Sequence, residues 1–209
     1  MNVGAPLLAL LQADFGLARR TRPVIGIAGE SGSGKTTAAT ELAAALTAAG
    51  MPAAVLHQDD YFVRPPRTNH LHRERDLSAV GPREVDLARL REHVAAFRAG
   101  RDGVRVPQVD YPNDRFLERV VDFAPLAALV VEGTYVLALD GLDVRVFCAA
   151  THDETRERRR LRNRDIDAPF VERVLEIEHA LIAPQAALAD VVIDPEFRVA
   201  RAATGGQRL

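Results

Sequence analysis

The chain has one cysteine, one lysine and no tryptophan among its 209 residues. A single cysteine, Cys148, excludes an intrachain disulfide and suits a reducing, cytoplasmic setting. Its neighbours Val144, Val146 and Phe147 mark it as a buried strand residue rather than a nucleophile. No apolar run is long enough to span a bilayer, so no membrane partner is expected. The short run Pro6–Leu11 has no basic leader and is followed by Arg19 and Arg20, which reads as a helix packed on the domain rather than an export signal. Strong charge of either sign is also missing. The formal net charge is -2 with no basic stripe, so no nucleic-acid partner is expected. A hydrophobic content of 47% and a charged content of 27% fit one sizeable globular domain; whether copies associate is left open.

The scarcity of lysine is the most informative of these absences. Of 27 basic residues only Lys35 is a lysine, and it stands in Gly29-Glu30-Ser31-Gly32-Ser33-Gly34-Lys35-Thr36. The run matches G-x-x-x-x-G-K-[ST], the phosphate-binding loop. A compact ammonium on a thin stem reaches between cradled phosphates where a planar guanidinium does not fit. The context agrees. Val24–Ala28 is a short apolar run that predicts a buried strand, and Thr36–Ala49 carries Ala38, Leu42, Ala45, Leu46 and Ala49 at helical spacing before Gly50 at the C-cap. Gly29, Ser31, Gly32, Ser33, Gly34, Lys35, Thr36 and Thr37 are therefore expected to hold ATP. Loop amides and the helix N-terminus would face the phosphates, Lys35 the β and γ oxygens, and the Thr36 hydroxyl Mg²⁺.

Further buried strands are predicted at Ala53–His57, Leu129–Val131, Val144–Cys148 and Val191–Ile193. Residues 63–81 are rich in Arg, His and Pro without apolar period and read as a loop. Pro82 is expected to open a helix carrying Leu87, Leu90, Val94 and Phe97, which ends near Gly100. Residues 104–123, with the turn signal Pro112-Asn113-Asp114, predict a hairpin. A helix from Pro169 should turn Val174, Ile177, Leu181 and Leu188 to the core, with Pro184 interrupting it. Strands alternating with helices imply an α/β parallel sheet covered on both faces, with ligands at the carboxyl ends of the strands.

Asp59 and Glu132 each follow a buried strand, so both should face the phosphate loop. Asp59 is the candidate base for an attacking hydroxyl and a candidate metal ligand; Asp60 would point the other way in an extended segment. Glu132, costly to bury alone, suits Mg²⁺ or its water shell. The run Arg156, Arg158, Arg159, Arg160, Arg162, Arg164 is dense, and Arg160 and Arg164, one helical turn apart, are candidates to close over the transferred phosphate. His70 and His72 lie two apart in a polar segment with no third-ligand pattern, which argues against a metal site there.

Together these residues resemble the uridine kinase and phosphoribulokinase superfamily of P-loop kinases, which also holds nicotinamide riboside kinases. The resemblance runs from Val24 to Pro195 and rests on the phosphate loop, Gln58-Asp59-Asp60-Tyr61-Phe62, Val131-Glu132-Gly133, Arg160 to Asp165 and Ala189–Ile193. It implies a five-stranded parallel sheet, an acceptor-site hairpin, an arginine-rich lid near 153–168, and transfer of the ATP γ-phosphate to a hydroxyl of a small molecule. By the same resemblance Asp59 is the catalytic aspartate, and Tyr61, Arg64, Asp110 and Tyr111 fall on the acceptor side. The domain would span 23–200, after a helical extension at 1–22 and before a tail at 201–209. Uridine kinases read the base with a tyrosine and a histidine, where this chain has Val109 and Asp114, and the Arg-Gly-Arg of their lid is missing after Asp165. Arg64, Arg67, His70, His72 and Arg73 would instead suit an acceptor that already carries negative charge. The alternative is an ATP-binding regulatory or chaperone-type P-loop protein without turnover. Its GTPase form is excluded, because a guanine-reading Asn/Thr-Lys-x-Asp needs a second lysine.

Overall fold

The computed structural model describes residues 3–156 and 168–203. Its centre is β1 (Val24–Gly29), buried along its whole length. Ile25 and Ile27 face one apolar cluster while Val24 and Ala28 face the other, as the two-residue repeat of a strand requires. Parallel partners flank it on both sides: β5 (Ala128–Glu132) and β6 (Val144–Cys148). Beyond them lie β2 (Ala53–His57) and β7 (Val191–Ile193). The sheet order is β2-β5-β1-β6-β7-β8. Its last member, β8 (Val199–Arg201), pairs antiparallel to β7. The five parallel strands are those expected; β8 is additional, and its three residues are too few to show a period.

Helices α1 (Gly4–Phe15) and α2 (Lys35–Ala48) cover one face. Leu7 and Leu11 are fully buried there, and a Cβ on Gly4 would come within 2.3 Å of the Glu41 carbonyl oxygen. Glu41 Oε2 accepts from the amides of Val3 and Gly4, so α2 caps the start of α1. The N-terminal helix thus packs into the main core. On the other face, α4 (Leu87–Arg98) buries Leu90, Val94 and Phe97 with Phe123, Leu137 and Ile182. The separate hairpin consists of β3 (Val104–Asp110) and β4 (Arg115–Val121).

Three expectations are corrected. Residues 63–81 contain a helix, α3 (Pro66–Arg75), which has no apolar face because its partners are polar. Pro82 opens only a short 3₁₀ turn, Pro82–Glu84, and α4 starts later, at Leu87, where the Asp86 side chain accepts from the Arg89 amide. The last helix, α5 (Ala168–Ile182), buries Val174, Leu175 and Ile182, whereas Leu181 and Leu188 are 40% and 44% exposed. Pro184 falls in the 3₁₀ segment Ala183–Leu188 that follows.

Candidate active site

β1 runs into the phosphate loop and α2 leaves it. Gly32 and Gly34 take φ of 79° and 96°, left-handed values that suit glycine. Gly29 lies so close to β6 that an added Cβ would stand 2.8 Å from the Cys148 carbonyl oxygen. The N-cap residue of α2 is Gly34, which has no side chain to bond the first amides, so those amides and the helix dipole suit an anion. Lys35 Nζ donates to the Glu30 carbonyl across the loop at 3.4 Å. Behind the loop, burial pushes the Cys148 thiol up to about 12, with Lys35 pulling it back, so a buried, protonated thiol stands where a structural residue was expected.

The carboxyl ends of β2 and β5 bring the acidic groups to this loop. Glu132 is 3% exposed, and its Oε1 accepts from Thr36 Oγ1 at 3.3 Å. His57 Nδ1 lies 2.7 Å from the same oxygen. That hydrogen bond raises the His57 pKa against the opposing effect of burial. Glu132 Oε2 is buried with no partner among the described residues. A buried carboxylate oxygen beside a threonine hydroxyl forms a hard oxygen donor set, and Mg²⁺ fits it.

Asp59 and Asp60 lie in a 3₁₀ turn, Gln58–Tyr61, rather than an extended segment. Asp60 Oδ1 accepts from the Val109 amide at 2.8 Å and so fastens the hairpin to the strand end. Burial raises the Asp60 pKa, and that hydrogen bond opposes the rise. Asp59 is exposed, and its charge is felt by both His57 and Asp60. Gln58, fully buried, donates to Thr134 Oγ1 at 2.9 Å and accepts from the Tyr135 amide at 2.8 Å. It binds the turn after β2 to the segment after β5. His57 reads in the sequence as a strand-end residue, and Gln58 as the first residue of the segment that carries Asp59, with no role of its own.

The residues expected on the acceptor side are placed as follows. Tyr61 is 3% exposed and its hydroxyl meets His93 Nδ1 at 2.7 Å, so it braces the core behind the site. The Asp110 carboxylate is taken by Asn113 and Arg115 and organises the hairpin turn. Tyr111 stands 49% exposed near the hairpin tip, and Arg64 is half-buried ahead of α3. Arg160 and Arg164 lie outside the described residues. Part of the basic segment is paired. Arg73 makes a two-pronged bond to Glu84, both contacts 2.7 Å, and reaches Glu178 at 3.0 Å. Asn69 and the Gly81 amide also donate to Glu84 at 2.9 Å each. His70 pairs with Glu74 at 3.3 Å. Asp114 accepts from the amides of Arg67 and Thr68 at 2.6 and 3.1 Å, capping α3 from the hairpin tip.

A sequence model of the phosphoribulokinase / uridine kinase family matches residues 24–199. A bifunctional alpha-galactosidase/sucrose kinase of Mediterraneibacter gnavus is 34% identical over 192 residues, which are 85% of this chain and 20% of that protein. A uridine kinase of Leuconostoc citreum is 32% identical over 195 residues, covering 81% of this chain and 86% of that one. Among solved structures, a possible uridine kinase from Bacillus stearothermophilus superposes with a TM-score of 0.63 at 21% identity, covering 90% of this chain and 98% of that one. Phosphoribulokinase from Rhodobacter spheroides superposes with 0.60 at 17% identity, covering 83% and 70%.

Proposed function

The chain belongs to the phosphoribulokinase / uridine kinase family, and on that premise we propose that it transfers the γ-phosphate of ATP to a hydroxyl of an uncharged polyol, a nucleoside of the uridine or cytidine kind or a sugar. It is a phosphotransferase with an alcohol acceptor and ATP as donor. The observation that carries the finer reading is the junction at Glu132. Thr36 and His57 both engage one of its oxygens, and the other is buried without a partner among the described residues, beside the phosphate loop.

Phosphoryl transfer asks chiefly for positioning and charge neutralisation. Loop amides, the start of α2 and Lys35 would grip the triphosphate. Thr36 and Glu132, with Asp59 nearby, would hold Mg²⁺, which neutralises phosphate charge when bound. His57 orients Glu132 through Nδ1. Asp59, at the head of the turn after β2, takes the proton of the attacking hydroxyl. Arg160 and Arg164 are proposed to meet the transferred phosphate.

An uncharged acceptor is the reading that the pairing of Arg73 favours. Arg73 is matched by Glu84 and Glu178, and Arg67 is turned to the hairpin tip, with a guanidinium nitrogen on the Pro112 carbonyl at 3.2 Å. The sucrose and uridine kinases among the relatives mark the two polyol classes to try first. The test is ADP release with Mg-ATP and a panel of uridine, cytidine, sucrose, fructose and phosphorylated sugars, with product mass measured. The reading requires acceptor-dependent turnover with a neutral polyol. Tight ATP binding without any phosphorylated product would replace it with an ATP-binding regulator.

A further inference from the structure

Glu30, the second residue of the phosphate loop, has no part in the transfer chemistry above, yet its side chain is buried and crowded. Oε2 accepts from the His152 amide at 2.7 Å and lies 3.0 Å from His152 Nδ1. Oε1 lies 2.7 Å from His179 Nδ1. The two imidazoles lie with centroids 5.4 Å apart, tilted 60° to each other. Three segments remote in sequence thus deliver two ring nitrogens and a carboxylate oxygen to one point: the loop after β1, the segment after β6, and α5. The donor atoms lie within 4.8 Å of one another.

We propose that Glu30, His152 and His179 form a binding site for a divalent transition-metal ion, Zn²⁺ foremost. Two imidazoles and one carboxylate are a donor set that Zn²⁺ takes, with a fourth place left to water. The amide of His152 holds the carboxylate in orientation, as groups behind a metal ligand commonly do. The His179 side chain is 43% exposed, which opens a path for the ion, while Glu30 and His152 are buried at 6% and 10%. Mg²⁺ prefers oxygen donors and keeps its waters, so the mixed nitrogen and oxygen set separates this site from the one at Glu132. A second grouping on His152, with Asp153 and Glu172, is a poorer candidate. Arg156 lies 3.0 and 3.5 Å from those two carboxylates and already balances them. An ion at Glu30 would tie the phosphate loop to α5 and to the chain that enters the arginine-rich segment.

The site is tested on the full chain, stripped with chelator and titrated with Zn²⁺ and, separately, Co²⁺. One equivalent should bind. The Co²⁺ form should show visible d–d absorption, and ring signals of His152 and His179 should shift while those of His70 and His72 stay. His152→Ala and His179→Ala should each weaken Zn²⁺ binding by about tenfold or more. Retained binding of a fluorescent ATP analogue shows that a variant is folded. If neither variant folds, the histidine signals of the unaltered chain decide. Absence of saturable one-to-one binding, unshifted His152 and His179 signals, or folded variants that bind as tightly as the original would each overturn the site.

Discussion

On the nucleotide side, the groups that would grip phosphate are backbone amides, a lysine and small side chains within the eight residues from Gly29 to Thr36. On the side proposed for the acceptor, the framework is a web of side chains that joins six separate segments: Asp60 to Val109, Gln58 to Thr134 and Tyr135, Asp114 to α3, and Arg73 to Glu84 and Glu178. One side is set by local backbone geometry, the other by partners that only the fold brings together. A loop built from its own backbone can serve any triphosphate. A web of side chains can be rewired to suit a different acceptor without disturbing the loop.

The sharpest way to break this comparison is at the seam between the two sides. Asp59→Asn should lower kcat by about 10²- to 10⁴-fold, the usual worth of a positioned general base. Binding of ATP should stay within a few fold, because the loop does not depend on Asp59. Steady-state kinetics and direct titration with a non-hydrolysable ATP analogue separate the two effects. Turnover within threefold of the original would remove Asp59 from the proton transfer.

The same contrast explains what could be read in advance. The phosphate loop was legible because its glycines and Lys35 sit at fixed spacing, and the five parallel strands because each is a short apolar run. Glu132 stood out as a carboxylate ending such a run. Helix α3 was invisible because it packs through Asn69, which is buried, and Arg73, which is half-buried, and a polar helix held by hydrogen bonds and ion pairs leaves no apolar period. The Tyr61 hydroxyl turns inward to His93, a partner 32 residues away that no local pattern discloses. His57 looked like a strand end and Gln58 like the start of the segment that carries Asp59, and nothing local reveals that they meet Glu132 and the segment after β5. The cluster at Glu30 is further from legibility, since His152 and His179 join it from 122 and 149 residues away.

The acceptor web can be loosened at Arg73. Arg73→Met leaves Glu84, 2% exposed, and Glu178 without their cation, and removing one partner of a buried pair costs about 3–5 kcal/mol. Adding Glu84→Gln to that variant should recover part of the loss, so the two changes would not sum in a denaturant titration. The pair also sets an acid limb. Burial pulls the Glu84 pKa up, but Arg73 and the Gly81 amide outweigh it, leaving the carboxyl below its ordinary 4.5. A lowered folded-state pKa contributes stability that is present above 4.5 and lost as pH falls through the folded value. Unfolding curves of the unaltered chain should therefore weaken below about pH 4.5, and the Glu84→Gln protein should lose less over that window. An equal acid loss in both would detach Glu84 from it.

The smallest effect belongs to the contact that joins the hairpin to α3. Asp114 takes the Arg67 amide, the Thr68 amide and the Thr68 hydroxyl, the last at 2.8 Å, and so does the work of an N-cap from a different element. Asp114→Ala should cost about 0.5–2 kcal/mol, the range for losing a helix cap. Its kinetic signature should be lopsided. KM for the acceptor should rise as the hairpin tip and α3 come apart, while KM for ATP stays put, because the bonds lost join the hairpin to α3 and not to the loop from Gly29 to Thr36. Asp114→Asn, which keeps the acceptor oxygen for one amide, should fall between. Equal rises in both KM values would mean that the two sides of the site are mechanically coupled after all. The separation into a backbone-built grip and a side-chain-built acceptor framework would then fail as an account of this site.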